Sequence, residues 1–183
     1  MDFLQLAKKR HSVRKFSNQK IEKEKLDLIL EAGRIAPTAA NYQPQRILVL
    51  DSEESLEKLK ACTPCHFHAP LALLVCYDTS ASWKRSYDNE DTGITDASIV
   101  ATQMILQATE AGIGCTWVAH FDPQLIRTSF GLPDYLVPVA LIPMGYPAVD
   151  SAPNQTHENR FSLNRTVFFN SFDGISKGKP SEK

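Results

Sequence analysis

One globular domain in which helices alternate with short strands is the architecture this chain predicts, and three observations predict it. The first is size and composition: 183 residues with 43% apolar side chains make about one domain with a core of ordinary extent. The second is Leu71-Ala72-Leu73-Leu74-Val75-Cys76, apolar without alternation, as suits a central strand covered by helices on both faces. The third is the apolar spacing on either side of that run, which keeps returning to the helical three-and-four period. Taken as a pattern alone, such alternation points to a parallel α/β sheet.

Asp2 can cap a short helix that carries Phe3, Leu4 and Leu6 and runs into Arg10, after which Ser12 to Lys20 reads as a loop. Glu22 and Glu24 open a second helix, where acidic side chains complement the positive end of the helix dipole. Leu26, Ile29, Leu30 and Gly33 follow at i, i+3, i+4 and i+7, and Pro37 ends the pattern. Ile47 to Leu50 suits a strand, and Asp51 with Glu54 makes a capping-box-like start for a helix through Lys60. From Thr92 to Ala111, the residues Ile94, Ala97, Ile99, Val100, Met104, Ile105 and Ala108 cover most of a helix circumference. Such a helix must be buried nearly all round, which in a small domain suggests a subunit interface. Cys115 to Val118 reads as a short strand, Asp122-Pro123 as an N-cap and first helical residue, Gly131 as the end of that helix, and Val137 to Met144 as a last strand. The domain is expected to occupy residues 1–170. A flexible tail over 171–183 follows, rich in Gly, Ser, Lys and Pro from Gly174 onward.

Charge argues against a polyanionic partner. Twenty Lys and Arg against 21 Asp and Glu, interspersed, leave no field to hold nucleic acid, although Lys8 to Lys15 is locally basic. No apolar run approaches the roughly 18 residues of a membrane span. The start, Met1-Asp2-Phe3-Leu4-Gln5, lacks the charged and apolar regions of an export signal, so a cytoplasmic protein is expected. Cys62, Cys65, Cys76 and Cys115 do not suggest a disulfide framework in a chain long enough to bury its own core, and Cys76 and Cys115 read as core thiols.

The stretch that carries most chemistry is Arg10-His11-Ser12-Val13-Arg14. A phosphate monoester presents close to two negative charges and three acceptor oxygens. Forked guanidinium donors match them, and a hydroxyl fills the gap between the forks. The alternative is that Lys8, Lys9, Arg10, Arg14 and Lys15 form a solvated, basic helix end. Further along lie Ala36-Pro37-Thr38 with Asn41 and Gln43-Pro44, then Gly112-Ile113-Gly114-Cys115-Thr116-Trp117, and then Met144-Gly145-Tyr146-Pro147. In this order, from residue 2 to about 165, the chain resembles the FMN-dependent nitroreductase family.

The resemblance implies an α+β nitroreductase-like fold in place of the parallel sheet: a central mixed, largely antiparallel sheet flanked by helices, in an interlocked homodimer with active sites at the interface. It implies that Arg10, Ser12 and Arg14 contact the FMN phosphate and ribityl chain, with His11 in the same loop and Arg160 completing the cage, Arg165 being the rival. It implies that Pro37, Thr38 and Ala39 reach the ring from the partner subunit, and that Asn41 and Gln43 lie beside it. Their amides both donate and accept, as the pyrimidine edge of a flavin requires; alternatively they satisfy a turn. Family members usually have an aromatic where this chain has Gln45. Trp117, Val118, Ala119 and His120 match the segment whose backbone faces flavin N5 and O4, where many relatives have Gly-Gly or Glu-Gly in place of Ala119-His120. His120 either sits over the flavin, where an imidazole titrating near neutrality can supply a proton, or turns outward.

Cys62-Thr63-Pro64-Cys65-His66-Phe67-His68 matches the haem c attachment pattern literally and offers two thiols and two imidazoles to a metal or to redox chemistry. Haem attachment conflicts with the missing export signal, no second ligand pair follows, and a helix end before the central strand is the favoured reading. No Gly-x-Gly-x-x-Gly or Gly-x-x-x-x-Gly-Lys element occurs, so NADH or NADPH would bind transiently over the flavin. The function implied is an FMN oxidoreductase that reduces nitroaromatics or quinones with NAD(P)H by a ping-pong sequence. The alternatives are a flavin storage or sensing module and a Cys/His metal protein.

Overall fold

The computed structural model describes residues 2–173, so the tail expected over 171–183 lies, from 174 onward, outside the described residues. Among the described residues, five helices, α1 (Phe3–Lys9), α2 (Lys23–Arg34), α3 (Glu53–Cys62), α4 (Gly93–Glu110) and α5 (Pro123–Phe130), surround four strands, β1 (Gln45–Leu50), β2 (Leu71–Asp78), β3 (Gly114–Cys115) and β4 (Leu136–Gly145). The sheet order is β1-β2-β4-β3 and every strand pairing is antiparallel. The parallel α/β sheet that bare alternation suggests is therefore wrong, and the α+β class is right. Alternation fails as a guide because α3 returns the chain beside β1 in the opposite sense, placing Gln45 opposite Tyr77 and Leu50 opposite Ala72. The parallel element among the described residues is one isolated bridge, between Ser12 and Cys115.

Strand β2 explains its own composition. Its residues alternate between two cores, as a period of two requires. Leu71, Leu73, Val75 and Tyr77 pack with Ile142, Met144 and the buried stripe of α4, and with Ile29 of α2. Ala72, Leu74 and Cys76 face Leu50, Leu59, Cys62, Ile126 and Leu141, under α3 and α5. Both faces are dry, so no polar position interrupts the run.

Helix α4 corrects one expectation. Most of its apolar circumference is covered within the chain, with Ala97, Val100, Ala101, Met104 and Ala108 fully buried and Ile105 only 6% exposed. Gly33 of α2 permits the close approach: a Cβ there would stand 2.8 Å from Met104 Cγ and Sδ. What remains exposed is a narrower strip. Ile99 and Leu106 line a groove of about 640 Å³ with Phe3, Leu6, Ala32 and Ile35.

The caps are mostly as their residues dictate. Asp2 forms a capping box with Gln5, and Asp122 accepts from the amides of Gln124 and Leu125. Gly131 ends α5 in the left-handed region. Helix α3 instead starts one residue later than Asp51 and Glu54 suggest. Ser52 holds extended backbone, its hydroxyl accepts from the Ser55 amide, and the Ser55 hydroxyl reaches back to the Ser52 N–H. The strand expected from Cys115 to Val118 shortens to Gly114–Cys115, although the Val118 amide still donates to Leu141 O at 2.9 Å. Among the described residues, no helix is long and apolar enough to cross a membrane.

Candidate active site

Helix α1 stops at Arg10, whose amide closes the last turn on Leu6 O at 3.0 Å and whose ψ of 119° sends the chain into extended backbone. The loop is then stitched to the end of the sheet. Ser12 bridges Cys115, the Val13 amide donates to Cys115 O at 3.0 Å, the Ser17 amide to Tyr146 O at 2.8 Å, and the Ala148 amide to Lys15 O at 3.0 Å. Extended backbone alternates its side chains, which gives the Arg-x-Ser-x-Arg spacing its meaning. Val13 is buried, while Ser12 and Arg14 line a cavity of about 300 Å³ with Lys15, Asp150, Ser151 and Asn154. Lys15 Nζ lies 2.6 Å from Asp150 Oδ2, and that hydrogen bond holds the Asp150 carboxyl below the usual aspartate range. A carboxylate thus lines the cavity, with its charge offset by a neighbouring ammonium.

The remaining basic residues fall around α1. Arg10 lies close enough to the buried Cys115 to oppose, weakly, the burial that pushes that thiol up to about 12. His11 Nδ1 is 3.1 Å from Lys9 O, and its ring meets the His157 ring edge-on at 5.8 Å. His157, Arg160 and Lys8 border a second cavity, of about 430 Å³, against Leu4 and Ala7. Arg165 stacks on the Phe161 ring at 4.0 Å. Arg160 thus shares a cavity with His157, whose ring meets that of His11, while Arg165 packs on Phe161.

Residues 116 to 120 leave β3 beside this loop. Thr116 and Val118 are buried, Trp117 is half-buried against the α4 core, and Ala119 and His120 are exposed. The His120 carbonyl accepts from Thr63 Oγ1 at 2.5 Å. Ser12 through Arg14 and the 116–120 segment thus meet at Cys115. Pro37, Thr38, Ala39, Asn41 and Gln43 lie elsewhere, in a turn at the start of α4, and contribute nothing to the walls of the Ser12–Arg14 cavity.

That turn is held by the residue that sequence reasoning missed. The Ala39 amide donates to Asp96 Oδ1 at 2.8 Å, and Asp96 is 2% exposed. Its spacing from Val100 and Met104 puts a carboxylate inside the buried stripe of α4, which is the signal that could have found it.

The Cys/His stretch is dispersed. Cys62 is buried with Sγ near Lys58 O and Ser129 Oγ, Cys65 is partly exposed, and the rings of His66 and His68 meet edge-on at 4.4 Å. Among the described residues, no three His, Cys, Asp or Glu side chains are grouped so as to hold a metal ion.

The fold agrees with comparison to known proteins. The model of the Nitroreductase family matches residues 7–64 and 65–146, and the chain belongs to that family. It is similar to the crystal structure of a nitroreductase family protein from Clostridium difficile 630, with 41% identity and a TM-score of 0.88 over 93% of this chain and 99% of that one. It is also similar to an FMN-dependent nitroreductase from Clostridium difficile R20291, with 30% identity and a TM-score of 0.77 over 93% and 100% of the two chains. A relative from Methanothermobacter thermautotrophicus, provisionally named an NADH dehydrogenase/NAD(P)H nitroreductase, is 31% identical over 81% of this chain and 78% of its own.

Proposed function

We propose that this chain is an FMN-dependent oxidoreductase that takes electrons from NADH or NADPH and works as a homodimer. The observation that carries the reading is the Ser12–Arg14 cavity. A loop zipped to Cys115 turns a hydroxyl and a guanidinium toward one space large enough for a phosphate, with Lys15 beside it. The hydroxyl and guanidinium suit an anion, and the Asp150 carboxylate on the same wall is offset by Lys15. The names of two relatives, an FMN-dependent nitroreductase and a provisional NAD(P)H nitroreductase, support the same cofactors.

The flavin, when bound, supplies the redox chemistry, accepting from NAD(P)H and passing electrons in a second half-reaction to an electron-poor acceptor such as a nitroaromatic or quinone. The chain's part is binding and orientation. Ser12 and Arg14 hold the phosphate, Arg10 and His11 border it, and Arg160 closes the basic rim beyond His157. Backbone groups of Trp117, Val118, Ala119 and His120 line the reacting edge. Asn41 and Gln43, with Pro37, Thr38 and Ala39, cover the flavin held by the other subunit. No side-chain acid or base is required, and His120 is the candidate for one.

Purified protein should be yellow and should release FMN, not FAD, on denaturation, because the cavity is suited to a terminal phosphate. Stopped-flow mixing with NADH and NADPH should bleach the flavin absorbance within the turnover time. Stoichiometric FAD, or a colourless protein indifferent to added FMN, would refute the cofactor. Flavin that no nicotinamide reduces would leave a storage or sensing module.

A further inference from the structure

Asp96 stands in the first turn of α4, and its two oxygens have unequal fates. Oδ1 accepts from the Ala39 amide at 2.8 Å, whereas Oδ2 is buried with no hydrogen-bond partner among the described residues. Buried polar atoms are almost always paired, so a half-satisfied carboxylate in a stripe otherwise filled by alanine, valine and methionine calls for a reason beyond packing. The positive end of the α4 dipole eases the burial of its charge without giving Oδ2 a donor.

The segment that Asp96 grips is strained. Ala40, Asn41 and Gln43 have φ of +48°, +59° and +52°, the left-handed region that residues with a Cβ rarely adopt. Such backbone persists only where its surroundings over-determine it, and it concentrates at ligand-contacting loops. The other ties are local. The amides of Asn41 and Gln43 donate to Thr38 O and Thr38 Oγ1, the Tyr42 amide to Ala39 O, and the Gln43 side chain to Asn41 O. Arg46, three residues on, donates to Gln43 O. These bonds set the shape of the turn but not its place on the protein, and the bond to Asp96 joins it to α4.

We infer that Asp96 is a positioning residue: through the Ala39 amide it holds the 38–43 turn in the conformation that presents Asn41 and Gln43 to the flavin ring. The role toward the cofactor rests on the flavin reading above; the anchoring of the turn does not. What matters is the acceptor rather than the charge. An asparagine, whose Oδ1 can replace that of Asp96, should serve, while an alanine there lacks the oxygen and a serine is too short to reach.

The test uses the full chain and two readouts. In the wild type, hydrogen exchange followed by NMR should show the Ala39 amide at least about tenfold slower than that of Ala40, which has no acceptor among the described residues. Asp96→Ala and Asp96→Ser should remove that protection and weaken FMN binding about tenfold in a fluorescence titration, with a shifted flavin absorbance band, while Asp96→Asn restores both. An Ala39 amide that exchanges as fast as Ala40 in the wild type overturns the anchoring even if no variant folds. Asp96→Asn as impaired as Asp96→Ala overturns the acceptor role. Failure of the wild type to take up FMN strikes the flavin reading and with it the role toward the cofactor, whereas normal uptake with unchanged exchange in Asp96→Ala strikes Asp96 alone.

Discussion

A methyl group on Gly114 would stand 2.8 to 2.9 Å from Cγ2, Cβ and Cγ1 of Val13, so the Ser12–Arg14 loop can lie against β3 only because the strand carries no side chain there. One of those atoms is the Val13 Cβ, fixed to the backbone, and no rotamer change relieves the clash. Gly114→Ala is expected to push the loop off the sheet edge at an overpacking cost of about 1–3 kcal/mol. For a domain of this size that lowers Tm by roughly 2–4 °C per kcal/mol. Ser12 and Arg14 flank Val13, so flavin content should fall with it. Calorimetry and flavin absorbance on the purified variant measure both, and an unchanged Tm with full FMN would contradict the packing.

Much of this was legible before the structure, and the limits have physical causes. The two faces of β2, the caps at Asp2, Asp122 and Gly131 and the run of α4 follow from local spacing, because each depends on side chains within a few residues. The sense of the strands does not: whether β1 and β2 run antiparallel depends on how α3 carries the chain back, which no periodicity encodes. The same holds for α4, whose apolar circumference asks for cover without saying whether α2 or a second subunit supplies it. At the site, the Arg10–Arg14 stretch reads as a donor set suited to an anion, whereas the extended backbone that buries Val13 between Ser12 and Arg14 is seen only in the structure. The Ala39–Asp96 bond spans 57 residues and was invisible, since a lone aspartate near a helix start ordinarily complements the dipole in solvent.

Arg14 is exposed on the cavity rim and belongs to neither core cluster. Arg14→Ala should therefore leave Tm unchanged while weakening FMN by ~1.5–3 kcal/mol, the scale of a hydrogen bond to a charged group, or on the order of ten- to a hundredfold in Kd. Equilibrium titration of the apo-protein with FMN gives the number. Unchanged affinity, with affinity abolished in Arg10→Ala, would move the phosphate towards Arg10 and away from the Ser12–Arg14 cavity.

His66 couples stability to pH. Burial lowers its pKa below the ordinary 6.5, His68 and Lys60 lower it further, and Glu57 alone among its charged neighbours pulls the other way. A histidine with a depressed folded pKa binds protons more readily when unfolded, so stability is full above 6.5 and declines as pH falls through 6.5 towards the folded value. Urea midpoints at pH 7.5 and 5.5 should differ in that sense, and His66→Gln should shrink the difference. A variant with the full wild-type dependence would assign the titration to another group.

The proposed homodimer is best probed at Ile99, not at Ile105. Both lie on α4, but Ile105 is 6% exposed inside the chain's own core, whereas Ile99 is 38% exposed in the groove lined by Phe3, Leu6, Ile35 and Leu106. An obligate interface that also completes a shared flavin site is expected to bury above ~2,000 Å², and this strip of α1, α2 and α4 offers it an exposed apolar groove. Ile105→Asp should then unfold the chain, since it places a carboxylate among buried apolar groups with no partner. Ile99→Asp should leave each chain folded and separate the two, because the same charge is solvated in the monomer and desolvated only in the dimer. Sedimentation read at protein and flavin wavelengths distinguishes the outcomes. The wild type should run as a dimer carrying FMN, and Ile99→Asp as a folded monomer that has lost it, because Pro37 to Gln43 no longer reach the flavin across the interface. A monomer that retains FMN would refute the shared site, and an Ile99→Asp dimer would place the interface on another face.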